Sequence, residues 1–100
     1  MAYTSKLKSR ENDELFRAIL SLENEEECYR FFEDLCTINE IHAMSQRLQV
    51  AMMLDDNETY SEIKSKSKIS TATISRINRC LLYGADGYRT VIAKLKKNKE

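Results

Sequence analysis

The residue types that most often do chemistry are sparse in this chain and poorly placed for it. Its one histidine, His42, has Glu40 two positions away, and residues two apart on a helix do not face each other. His42 therefore reads as a solvated or capping side chain. The run Glu25, Glu26, Glu27 suits the positive end of a helix dipole and has no metal-ligand spacing. Three cysteines, Cys28, Cys36 and Cys80, match neither a disulfide framework nor a clustered zinc site. They are expected to be reduced and mostly buried. Met44, Met52 and Met53 read as packing residues, as do Phe16, Phe31 and Phe32. No glycine-rich loop offers a phosphate cradle, and no Ser-His-Asp or Cys-His set assembles. The expectation is no enzyme, no metal and no cofactor.

A different chemistry gathers later in the chain, where hydroxyls and cations are interleaved. Ser70, Thr71, Ala72, Thr73, Ser75 and Arg76 are small or polar at what would be the start of a helix. Such residues let a helix backbone approach the major groove. Their hydroxyls can reach base edges or phosphates, Ala72 can meet a thymine methyl, and Arg76 can reach phosphate or guanine. The formal net charge of zero hides the asymmetry that would support this. Residues 1–58 carry six Lys or Arg against thirteen Asp or Glu, whereas residues 59–100 carry ten against three. Because salt screens charges beyond roughly 10 Å at 0.1 M, a basic pole attracts a polyanion locally even in a neutral chain. The plainer alternative is that these lysines only keep a helical surface hydrated.

The elements that must hold those residues are helices. With 100 residues, no proline and only Gly84 and Gly87, the chain lacks the turns a sheet-rich fold needs; one all-α domain over residues 1–100 is expected. At 42% hydrophobic and 32% charged residues it is too apolar for simple disorder and too polar for a membrane span. The first residues contain no apolar stretch of about 7 to 15 residues like that of a secretory signal, which leads to the expectation of a cytoplasmic protein.

A first apolar stripe, Leu15, Phe16, Ile19 and Leu22, follows the acidic start at Glu11, as suits a helix N-terminus. Asn24 and Glu27 loosely fit a capping box ahead of a helix over about residues 25–36, with the stripe Cys28, Phe31, Phe32, Leu35. Thr37 and Glu40 open a third and longest helix through Ile41, Met44, Leu48, Ala51 and Met52. Its further apolar residues Ala43, Val50, Met53 and Leu54 mark it as central, or shared between subunits. After the polar break at Asp55 to Glu58, Thr59 caps a short helix bearing Tyr60, Ile63 and Ser67. Ser70 caps the segment from Thr71 to Tyr83, with Ile74, Ile77 and Leu81 on one face, and Gly84 ends it in the usual C-cap manner. A last amphipathic helix carries Tyr88, Val91, Ile92 and Leu95.

The two helices between about residues 59 and 83 have the outline of a helix-turn-helix unit. Ile63, Ile69, Ile74 and Ile77 are spaced to share one small core. Two positions fit imperfectly. Lys64 stands where many such units have alanine facing the second helix, and Lys68 stands where glycine commonly supplies a positive φ. Lys68 should therefore be strained, or the turn slightly longer. An ordinary pair of packed helices remains the alternative.

Over about residues 15–95 the chain resembles the Trp repressor superfamily, and more closely its Trp-repressor-like branch of the YerC/YecD type. The most specific pieces run from Phe31 to Glu40 (FFEDLCTINE), through Gln46-Arg47-Leu48, from Ser70 to Leu81 (STATISRINRCL), and from Tyr83 to Tyr88 (YGADGY). The resemblance implies an all-helical, intertwined homodimer whose two reading heads bind double-stranded DNA as a transcriptional repressor. It also implies that Lys64 touches the DNA backbone and that Thr71, Ala72 and Ser75 meet base edges. Tyr60 and Ser61 replace the Gln-Arg pair of the family there, so the target sequence is not inherited. Arg47 and Arg76 match the two arginines that flank bound tryptophan, a pairing suited to a small carboxylate, although an interfacial ion pair or a phosphate contact is the favoured reading of both. In this possible ligand pocket Ile77 replaces a glycine and Cys80 a serine whose hydroxyl helps hold the ligand. The expectation is that L-tryptophan does not bind, any other corepressor being open. The rival reading is a dimeric protein-interaction module of the same fold that no longer reads DNA.

Overall fold

The computed structural model describes residues 3–98, and among them six helices and no strand. They are α1 (Arg10–Leu20), α2 (Glu25–Leu35), α3 (Ile38–Asp55), α4 (Tyr60–Ser67), α5 (Thr71–Tyr83) and α6 (Gly87–Asn98). The chain falls into two compact units, one up to Ile38 and one from Asn39 onward.

In the first unit each helix starts at a side chain that satisfies an orphan backbone N–H. Ser9 accepts from the Asn12 N–H at 3.0 Å, and Asn24 accepts from the Glu27 N–H at 2.9 Å. The expected box at Asn24 is half formed: the Glu27 carboxylate turns back, but receives the Glu23 N–H at 2.9 Å, one residue early. α1 closes at Leu20, so Leu22 lies beyond it. Neither helix contains a fully buried residue. Phe31 and Phe32 meet edge to face with centroids 5.5 Å apart and are half-buried. Phe16 corrects the reading of these rings as core, since it stays 50% exposed. An amphipathic stripe on an 11-residue helix becomes core only where another surface closes over it.

The second unit is built around Val50, Ala51, Ile63, Ile74, Ile77, Leu81 and Ile92. α3 supplies the first two, α4 the third, α5 the next three and α6 the last. Ile69, Tyr60, Tyr88 and Met52 to Leu54 pack around them. Fully burying one such aliphatic side chain contributes about 1.5–3 kcal/mol, which makes this cluster the scaffold of the helix pair. As the isoleucine spacing requires, α4, the turn and α5 share it.

α3 is the longest helix, at 18 residues, but only its C-terminal half is buried; Ala43 and Met44 remain exposed. The thiols differ from expectation too. All three are free, but Cys28 and Cys80 are exposed and Cys36 is half-buried, because the core of this chain is aliphatic and lies elsewhere. Gly84 is also unlike the expected C-cap: its φ is −84°, not left-handed. Its role is close approach, since a Cβ there would run into the Cys80 carbonyl oxygen, to which its own N–H donates at 2.9 Å. The left-handed residue of this turn is Asp86, with φ of 66°.

Candidate nucleic-acid interface

The helix pair is fastened by local hydrogen bonds that orient its surface. At the start of α4 the Thr59 hydroxyl accepts from the Glu62 N–H at 3.1 Å, and the Glu62 carboxylate accepts from the Thr59 N–H at 2.7 Å. This reciprocal box satisfies two orphan donors, and the hydrogen bond from the Thr59 backbone holds the Glu62 carboxyl below the usual carboxylate range. α4 ends where Lys68 takes φ 61° and ψ 22° and donates its N–H to the Lys64 carbonyl at 2.9 Å. A lysine thus carries the left-handed turn, as its place in the sequence foretold, with the modest strain a Cβ brings to that region. The Ser67 hydroxyl braces the corner, donating to the Ile63 carbonyl at 2.7 Å and accepting from the Ile69 N–H at 3.3 Å.

α5 then begins at Ser70, whose Oγ accepts from the Thr73 N–H at 3.2 Å and lies 3.0 Å from the Thr73 hydroxyl. Ser70 and Thr73 therefore engage each other at the cap, and Thr73 is half-buried, as is Ser75. Thr71, Ala72 and Arg76 are exposed. With Ile74 and Ile77 facing the core, the opposite face of the first turns of α5 is open, small and polar.

The lysines beside it divide into two kinds. Lys66 lies 2.8 Å from Glu58, and Lys96 lies 2.7 Å from both Asp55 and Asp56. These partners raise the pKa of each ammonium, Lys66 chiefly through its hydrogen bond to Glu58 and Lys96 through that to Asp55. Lys64, Lys68, Arg76 and Arg79 are exposed and join no ion pair among the described residues. These four unpaired cations lie on α4, the turn and α5, while Lys66 and Lys96 are held by acidic partners.

Of the four residues singled out as a ligand pocket, Ile77 is only 3% exposed and belongs to the core. Arg47, Arg76 and Cys80 are exposed. Arg47 leans on its own helix, its Nε 3.4 Å from the Ala43 carbonyl. Tyr88 of α6 is half-buried; burial raises its phenol pKa most, the Arg47 charge opposes that rise, and Cys80 adds to it. Sequence reasoning read Tyr88 only as an apolar helix position. It also missed Glu62 as a capping partner, although the spacing Thr59-x-x-Glu62 carries that signal, and it missed Arg89, whose Nε donates to the Leu81 carbonyl at 2.7 Å.

No helix among the described residues is long and apolar enough to cross a membrane, and no group of three or more His, Cys, Asp or Glu among them could hold a metal ion.

The family model described as Trp repressor protein matches residues 10–96. The chain is 54% identical over 92 residues to the uncharacterized protein YerC of Bacillus subtilis (strain 168), covering 92% of this chain and 88% of that protein. A solved crystal structure of a TrpR like protein from Eubacterium eligens ATCC 27750 superposes with a TM-score of 0.86 at 55% identity, covering 91% of this chain and 94% of that one. A second solved structure, from Staphylococcus aureus, gives a TM-score of 0.85 at 54% identity, with 91% of each chain covered.

Proposed function

The chain belongs to the Trp repressor protein family, whose members are helical DNA-binding regulators, and from that premise we propose that it is a sequence-specific transcriptional repressor acting as a homodimer. The observation that carries this reading is the open N-terminal face of α5, with Thr71, Ala72 and Arg76 exposed and the unpaired Lys64 and Lys68 beside it. In it, Lys64, Lys68, Ser70 and Thr73 set the register on the backbone, while Thr71, Ala72, Ser75 and Arg76 meet the bases. A two-fold dimer places its half-sites about 34 Å apart or a multiple of that.

The repressor reads DNA without L-tryptophan. Ile77 fills the core where an open pocket would need a small residue, and Cys80 offers a thiol, a weak donor, in place of a hydroxyl. Calorimetry with millimolar tryptophan should give no saturable heat; a saturating isotherm would overturn this part. For the main reading, the purified protein is incubated with sheared genomic DNA at near-physiological salt, with no small molecule added, and the retained DNA is sequenced. An enriched two-fold motif is expected. Absence of retained DNA would instead favour the dimeric interaction module, for which the exposed apolar residues of α1 and α2 (Phe16 50%, Leu20 82%, Leu35 50%) speak.

A further inference from the structure

Within the second unit, α3 and the end of α4 bound a cleft of about 390 Å³, lined by Ser45, Gln46, Gln49, Met53, Lys66 and Ser67. Ser45, Gln49 and Met53 follow one another at intervals of four residues and so share one face of α3. Ordinary small-molecule sites run from roughly 300 Å³ upward, mostly apolar with a few polar groups that fix orientation; this one likewise presents a mostly apolar surface, and the polar atoms it does present come chiefly from neutral hydrogen-bonding side chains. The side chains of Ser45, Gln46 and Gln49 make no hydrogen bond among the described residues, and Gln46 is half-buried. Ser67 is already engaged in the corner. The one charge on the rim, Lys66, is held by Glu58 at 2.8 Å.

That donor set selects its ligand by elimination. A free anion finds no unspent cation, and a cation finds no carboxylate facing it. Each glutamine amide ends in a donor and an acceptor side by side, the pattern with which glutamine pairs to the edge of adenine. Met53 offers a polarizable thioether to the face of a ring. We propose that this cleft binds a small neutral heterocycle with an amide-type donor and acceptor edge, of the nucleobase class. Gln46 and Gln49 pair with its edge, Ser45 completes the polar wall, and Met53 lies under the ring. Lys66 and Ser67 immediately precede the left-handed Lys68, so occupancy registers in the backbone of the turn.

The test is a nuclear magnetic resonance titration of the isotope-labelled full chain with adenosine, without DNA, so that it stands or falls independently of DNA reading. Saturable shifts are expected in the side-chain amides of Gln46 and Gln49 and in the backbone from Lys66 to Ile69. Gln49→Leu should weaken the binding at least tenfold, and ribose alone should leave these signals unmoved. Absence of saturation, equal affinity in Gln49→Leu, or the same response to ribose would overturn the proposal. Should Gln49→Leu lose its folded spectrum, Ser45→Ala is titrated instead, with a several-fold loss expected and an unchanged affinity counting against the site.

Discussion

The two units of the chain treat their apolar residues in opposite ways. Up to Ile38, α1 and α2 carry clear amphipathic stripes and acidic first turns, yet neither contains a fully buried side chain. From Asn39 onward, seven aliphatic residues are buried at 0–6% exposure, and eleven of the chain's sixteen Lys and Arg fall in this part of the sequence. Periodicity therefore tells which face of a helix is apolar, and only tertiary structure tells what covers it. In the proposed homodimer, the stripes of the first unit are the surfaces left to a second copy, while the second unit supplies a self-sufficient reading head.

The largest expected effect comes from breaking that self-sufficiency. Ile63→Ala removes a fully buried side chain shared by α4 and α5 and is expected to cost about 2–5 kcal/mol in chemical denaturation. A loss of only about 0.5 kcal/mol, as at a surface site, would show that the head is not held by this core. Next, Leu35→Asp places a charge on the open stripe of α2, where Leu35 is 50% exposed. Sedimentation equilibrium should show the dimer giving way to monomer, whereas an unchanged mass would assign the subunit contact elsewhere. A smaller effect separates the caps of the two units. Thr59→Ala removes one half of a reciprocal box and is expected to cost about 1 kcal/mol, with the helical content of α4 falling first.

The same box has a signed dependence on pH. Because the Glu62 carboxyl is depressed by the Thr59 backbone hydrogen bond, its contribution is present above the ordinary carboxylate range and is lost as pH falls through the depressed value. Glu62→Gln should flatten that acid limb in thermal melts, and an unaltered limb would place the acid sensitivity in other carboxylates.

What was legible in the sequence follows the reach of each interaction. Ser70 as the cap of α5, Thr59 as the cap of α4 and a positive φ at Lys68 are settled within three or four residues, and each could be read before any coordinates. So could the isoleucines of the helix pair, whose spacing leaves one common side. The exposed cysteines and the half-exposed Phe16 were not legible, because burial depends on what packs from elsewhere and apolar character alone does not supply it. Lys96 bridging Asp55 and Asp56 spans forty or more positions, and no local pattern marks it. That bridge and Lys66–Glu58 divide the lysines into spent and unspent, which charge counting alone does not reveal.

That division is the most direct test of the basic head as a DNA-reading surface. Affinity for a selected DNA site is measured as a function of salt for the parent chain, Lys64→Ala and Lys66→Ala. If the unpaired lysines meet phosphate, Lys64→Ala should lower the slope of log affinity against log salt by about 1, while Lys66→Ala, whose ammonium is already bound to Glu58, should leave it unchanged. Equal slopes in all three proteins, or a loss confined to Lys66→Ala, would contradict the assignment of this face to DNA.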